Sequence, residues 1–543
     1  MLVVKLIAPD KSLGYSKIFL DYIAGLNSAR HFYSGDNIES VAEQLNKIEY
    51  PRNRMADVLT RQNKAYNSSE KTFENIEKLR QKETLCLFSG QQAVLFGGPL
   101  LVILKALAIV KAANLYSKQL SRPVIPIFWI AGDDHDFEEA NHTYVLNRSS
   151  EVEKISYEAL PDKEWPISEV KFVDENSLIN AKNNLKKALG QTDYTNEIFK
   201  LLDECYTSSD TFVTAFGKLL AKLTSDYGLI LFSPGDSEVK EIARPFFKNI
   251  LELQKDLHDT LNLTNEQIQD YGYHLQVEKK ENAVHLFLNH DGRRPVMSNG
   301  SGFNAGDEII SKDHLLKLID QEYQNISPDV ITKPIFQSYL FPVLSQKGGP
   351  SEIAYLAQVN PLFSLFGRVA PFYKARASST IVEKHHEKTM DEYDISFEDL
   401  TGDIEQVINR VLAKSLPVEL ESGYKRMKSG IDETLSRFID NSLKFDSSLE
   451  AFGEQIKGKI EFSLKQLEGK VFSAHKKKST ETRERIYRLW NALFTNRNLQ
   501  ERTLNVSYFI SKYGIDVIRF IYDHLDSEEN AHQLIYLSEM EKK

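Results

Sequence analysis

From Thr84 to Phe88 the chain is continuously apolar, and the run stops at Ser89-Gly90-Gln91-Gln92. After the punctuation Gly97-Gly98-Pro99, the stretch LLVILKALAIVKAANLYSKQL is apolar on nearly every turn. It predicts a helix of about five turns, buried over most of its surface. The same alternation returns twice. PVIPIFWI (Pro123–Ile130) ends in Ala131-Gly132-Asp133-Asp134-His135-Asp136, and GLILF (Gly228–Phe232) ends in Ser233-Pro234-Gly235-Asp236 ahead of the helix-like SEVKEIARPFFKNILELQ. Short, unbroken apolar strands alternating with helices predict an α/β fold whose parallel sheet is covered on both faces. Such sheets bind ligands at the carboxyl ends of their strands, and all three strands carry small and polar residues there.

The remaining pattern divides the chain further. The first 85 residues read as polar helices, with segments such as SVAEQLNKIEY. Residues 151–210 and 276–330 interrupt the strand–helix alternation, the second with a strand pair (AVHLFLNHDGRRPVMS) and a helix (SKDHLLKLIDQEY). They are expected to be insertions between three parts of one core, 1–150, 211–275 and 331–382. From 383 the chain is charged and helical. Apolar residues at Tyr424, Met427, Ile431, Leu435, Phe438, then Phe445, Leu449, Phe452, Ile456, Ile460, Leu464, Leu467 and Val471 alternate by threes and fours, the seam of a coiled coil. An earlier helix ending near Pro417 is expected to run antiparallel to it, making 383–475 an arm and 476–543, after a basic break, a short helical C-terminal unit.

Composition narrows the function. With 77 acidic and 67 basic residues the net charge is −10, which argues against a nucleic-acid partner, since phosphate binding needs a basic footprint. Two cysteines, Cys86 and Cys205, cannot build a disulfide framework or a four-thiolate zinc site, and sparse cysteine fits a reducing compartment. No apolar run approaches the roughly 20 residues that cross a bilayer, and the N-terminus lacks a signal-peptide pattern, so a cytoplasmic protein without a membrane partner is expected.

Candidate chemistry sits at the strand ends. There is no phosphate loop of the G-x-x-x-x-G-K-[ST] type, and the glycines of 300–306 neither follow a strand nor open a helix. The turn Ser89-Gly90-Gln91-Gln92 permits close backbone approach to a ligand ahead of a helix start, or is simply a tight connection. Asp133, Asp134, His135 and Asp136, with Asn141 and His142 close behind, offer carboxylates for a substrate ammonium and an imidazole for proton transfer. A helix cap accounts for one or two of those acids but not for the histidines. No metal is expected there. Gly348, Gly349 and Glu352 form a second candidate ligand-facing turn or an N-capped helix. Lys374 and Arg376, two apart on a strand, share one face that is expected to meet solvent. Near the C-terminus, Gln500, Arg502 and Asn505 lie beside Trp490 and Tyr508, a combination suited to adenine and phosphate or to a polar domain contact.

Four separated segments, FSGQQAVLFGGPLLVILKA, PIFWIAGDDHDFEEANHTYV, SYLFPVLSQKGGPSEIAYLAQV and LFTNRNLQERTLNVSYFISKYG, closely resemble the BshC family of bacillithiol synthesis, over nearly the whole chain. That resemblance implies a Rossmann-like core with two connecting insertions, a coiled-coil arm that makes a homodimer, and a ligase that joins cysteine to glucosaminyl malate. By the same resemblance, Gln91, Gln92 and Asp133–Asp136 face the core site; the strand-end position makes Asp134, His135 and Asp136 the catalytic candidates. An adenine nucleotide, ATP or ADP, is expected near Trp490, Gln500, Arg502 and Asn505. Two other readings stay open: a nucleotidyltransferase-like enzyme acting on another small amine, and a non-catalytic nucleotide-binding dimer.

Overall fold

Five strands build the parallel sheet: β1 (Leu85–Gln92), β2 (Val124–Ala131), β3 (Ile230–Phe232), β4 (Val343–Gly348) and β5 (Phe372–Ala375), in spatial order β5-β4-β1-β2-β3. All four neighbouring pairs are parallel. β1 and β2 are central and buried along most of their length, which is why both read as unbroken apolar runs. The apolar helix α1 (Leu101–Leu120) packs on both. From β1 the chain moves to β2 and β3 on one side, then returns to β4 and β5 on the other. The order reverses between β1 and β4, and a doubly wound sheet binds ligands in the crevice at that reversal.

These features come from a computed structural model, which describes residues 3–542 apart from 36, 279, 291, 301, 416 and 417, and no side chains at 418, 478, 541 and 542. Pro417, where a helix end is expected, and Ser301 of the glycine-rich stretch lie outside the described residues. No helix of the described residues is long and apolar enough to cross a membrane.

The chain divides into two compact units, 1–382 with 495–543, and 383–494. The expected C-terminal unit starting at 476 is therefore not a unit of its own. Its strand His532–Tyr536 lies between Val4–Ile7 and Ser378–Val382 in a three-stranded sheet, antiparallel to the first and parallel to the second. Pairing between the two ends of a chain leaves no local trace in its pattern. The insertion at 276–330 is also richer than a strand pair: five antiparallel strands from Ala283–Asn289 to Ile326–Pro328 form one sheet.

In the second unit the seam does not run through one helix. Helices Val418–Phe445 and Glu450–Lys478 fold back on each other across a turn in which Asp446 accepts a hydrogen bond from Ser448 N. Ile439 lies against Gly453 and Tyr424 faces Glu468, so the hairpin is antiparallel and is made of consecutive helices. The expected partner, Ile404–Lys414, packs at its base, where Glu405 pairs with Lys476 and Arg483. The helix runs on through the basic stretch to Lys478.

A buried polar cluster ties residues 495–543 to the sheet edge. Arg376, expected in solvent, is buried and donates to Glu501 at 2.6 Å. Glu501 also accepts from Ser378 Oγ and Ser379 N. His532 lies 2.7 Å from Ser378 Oγ and 2.9 Å from Thr380 Oγ1, and burial pulls its pKa from 6.5 down to about 4. Below pH 6.5 the unfolded chain binds a proton that the folded chain refuses, so this stability is full above 6.5 and is lost as pH falls towards 4. Urea unfolding should show about 2 kcal/mol less stability at pH 5 than at pH 7.5 from this histidine alone. His532→Gln should remove that part of the slope; an unchanged slope would show that folding does not lower the His532 pKa.

Candidate functional site

At the reversal between β1 and β4, a pocket of about 160 Å³ is lined by Ser89, Gly90, Gln91 and Gln92 from β1, Gln346 and Lys347 from β4, Trp129 from β2, and Glu352. A glycine is required at position 90, because a Cβ there would come within 2.5 Å of the Trp129 carbonyl oxygen on the adjacent strand. Lys105 reaches up from α1, 3 % exposed, and donates to Gly90 O, Gln91 Oε1 and Glu352 Oε1. Glu352 accepts from Gly349 N with its other oxygen, in the first turn of helix Pro350–Val359. Burial pushes the Glu352 carboxyl up, but Lys105 and the Gly349 N–H hold it below the ordinary carboxylate range. Burial lowers the Lys105 ammonium. The floor of the pocket is thus a fixed ion pair, while among the described residues the Trp129 indole N–H and the Gln346 side-chain amide oxygen Oε1 are buried without a hydrogen-bond partner.

A larger cleft of about 440 Å³ adjoins it under the antiparallel sheet, lined by Asp133, Asp134, His285, Arg293, Asp329 and Lys333 among others. Lys333 and Tyr355 line both compartments. Lys333 opens helix Lys333–Leu340, and among the described residues its amine makes no hydrogen bond or ion pair. Burial depresses its ammonium, and the charges of Asp133 and Asp134 partly offset this. Asp133 is itself held by the buried Lys240, at 3.4 Å.

The structure brings Ser89, Gly90, Gln91, Gln92, Glu352, Asp133 and Asp134 to these two compartments. It gives other candidates different work. Asp136 caps the short helix Phe137–Ala140 by accepting from Glu139 N. His135 lines a further open groove with Asp136 and Glu139 that shares Asp134 with the cleft, and Asn141 and His142 bond each other. Gln500 closes both ends of its amide on the backbone of Ile381. Asn505 donates to Phe96 O, Gly98 O and Thr143 Oγ1, and Leu100 N donates to Leu504 O. The start of α1 is therefore tied to residues 504–505. Arg502 is half-buried and makes no side-chain hydrogen bond or ion pair among the described residues, while Trp490 belongs to the other unit. Lys105, His285, Arg293, Asp329 and Lys333 were not foreseen. Each sits in an ordinary strand or helix pattern, and only the fold brings them together.

Two family models account for the chain almost end to end. Residues 2–377 match the N-terminal Rossmann-like domain of bacillithiol biosynthesis BshC, and residues 379–537 its C-terminal coiled-coil domain. The chain belongs to the BshC family. Members named "Putative cysteine ligase BshC" are similar along their whole length. One from Koribacter versatilis is 30 % identical over 94 % of this chain and 95 % of its own. Another from Geobacillus thermodenitrificans is 30 % identical over 96 % of this chain and 98 % of its own, and one from Salinibacter ruber is 28 % identical over 97 % of each. The boundary between the two BshC domains at 377–379 lies close to the first unit boundary found in the structure, 382–383.

Proposed function

We propose that this BshC chain is a cysteine ligase, joining the cysteine carboxyl to the amine of glucosaminyl malate in the two-compartment cleft. What carries the reading, beside family membership along the whole chain, is Lys333: among the described residues, a cation without a fixed partner where the two compartments meet. A free carboxylate has no leaving group for amide formation, so the cysteine carboxyl is first activated as an acyl-adenylate or acyl-phosphate, with ATP as the source. Lys333 stabilises the negative charge of the activated group and of the tetrahedral intermediate. Trp129 N–H and Gln346 Oε1 orient the substrate, and Asp133 and Asp134 attract the incoming ammonium. Lys105 and Glu352, which already satisfy each other, hold the walls.

Purified protein given cysteine, glucosaminyl malate and ATP should release the amide-linked thiol product, identified by mass spectrometry, and leaving out ATP should stop it. Product without nucleotide would remove the activation scheme. No product under any condition would favour one of the two other readings.

The arm supports a homodimer. Within the hairpin, Phe438, Phe445, Phe452 and Phe462 remain 71 %, 92 %, 60 % and 63 % exposed, more apolar surface than a monomer leaves in water. A second copy covers them. Light scattering should give twice the chain mass, and replacing Phe438 and Phe452 by aspartate should halve it; a folded wild-type monomer at micromolar concentration overturns the dimer.

A further inference from the structure

We propose that His285, held by Asp329, is the base that takes the proton from the attacking amine, an assignment that rests on the ligase reading above. His285 lies in strand Ala283–Asn289 where the pairing register with Arg293–Ser298 slips between Ala283 and Phe287. Its φ is +65°, a left-handed conformation that a residue with a Cβ adopts only when its surroundings impose it. The surroundings here do so. Thr332 Oγ1 donates to the His285 carbonyl oxygen at 2.9 Å, and the Asp329 N–H reaches the same oxygen at 3.2 Å.

The ring is oriented as firmly as the backbone. His285 Nδ1 lies 2.7 Å from Asp329 Oδ2. The other carboxylate oxygen accepts from Ile331 N and Thr332 N, with Thr332 Oγ1 3.1 Å away. Burial raises the Asp329 carboxyl, but His285 and the Thr332 bonds outweigh it and keep it below its ordinary value. An ionised Asp329 has no proton to give, so the hydrogen of that bond sits on Nδ1, and in the neutral ring Nε2 is the nitrogen left to accept a proton. Among the described residues Nε2 has no hydrogen-bond partner, and His285, 4 % exposed, lines the cleft beside Lys333, Asp133 and Asp134. A carboxylate that orients the imidazole of a residue lining a cavity, with the second ring nitrogen left without a partner among the described residues, is the arrangement of a general base.

The step balances. The ammonium first releases one proton to solvent, and the resulting neutral amine nitrogen forms the new C–N bond to the carbonyl carbon of the acyl-phosphoric anhydride. The C–O bond to phosphate breaks and its electron pair leaves with the phosphate oxygen. The proton of the attacking nitrogen ends on His285 Nε2.

His285→Asn keeps an amide N–H in reach of Asp329 and removes the base. It should lower product formation about 100- to 10,000-fold, with an unchanged melting temperature. In His285→Ala, added imidazole should restore turnover in a saturable way, a readout that a purely structural histidine would not give. Asp329 is a positioning residue, and Asp329→Asn should lower kcat more than it raises KM. If His285→Asn is folded and turns over like wild type, or if folded His285→Ala is inactive and imidazole restores nothing, His285 is not the base. Absence of product from the wild type overturns the ligase reading and this assignment with it.

Discussion

Replacing Arg376 by methionine should lower the unfolding free energy of the core unit by about 3–5 kcal/mol, because it strands a buried carboxylate. Glu501 is 0 % exposed at its side chain and Arg376 4 %, and their bond is 2.6 Å. The two come from distant parts of the chain, Arg376 just after β5 and Glu501 in the short helix Gln500–Thr503. Without the guanidinium, Ser378 Oγ and Ser379 N still donate to Glu501, but neither brings a charge. The double variant Arg376→Met/Glu501→Leu removes both charges and should recover most of the loss, since a buried pair replaced by apolar groups of similar volume is often neutral. Urea melts followed by tryptophan fluorescence in a Trp490→Phe background would report on the core unit alone, as Trp129 and Trp165 remain there. A loss under about 1 kcal/mol for Arg376→Met would mean that the pair is open to water and behaves as a surface bridge.

The same cluster shows what the sequence carries and what it withholds. β1, β2 and α1 are legible because elements buried on most sides must be apolar at nearly every position, a signal contained in the element itself. The strand-end position of Ser89–Gln92 and Asp133–Asp134 follows from that. Arg376 beside Lys374 looks like a solvated strand face, because nothing nearby announces a carboxylate 125 residues further on. Gln500 and Asn505 have the composition of a ligand site, yet an amide that binds adenine and one that closes a backbone gap are the same residue type. Asp136 is likewise a cap, the ordinary role of an acid one residue before a helix. The heptad seam announces long helical structure but not its division into two helices. Its regular spacing hides the turn at Asp446, because an antiparallel hairpin places apolar residues by the same rule as a continuous helix.

Lys333→Met should cut cysteine addition about 100- to 1,000-fold, the usual cost of losing one preorganised group at a developing negative charge, while leaving the fold as stable as before or more so. The two halves of that expectation come from one observation. Among the described residues the Lys333 amine has neither hydrogen bond nor ion pair, although burial already depresses its ammonium. A cation kept there costs stability, since its lost hydration is only partly replaced by the fields of Asp133 and Asp134. Methionine fills similar space without that cost, so the melting temperature should hold or rise, the trade expected where a site is kept strained for function. The neighbouring Lys105 gives the contrast. Its amine makes three bonds inside the protein, and Lys105→Met should lower stability by leaving Glu352 unpaired. Melting curves and initial rates of product formation for the two variants separate the roles. If Lys333→Met melts well below wild type and loses activity only in proportion to unfolded protein, Lys333 is a structural lysine and the cleft lacks the cation on which the ligase reading depends.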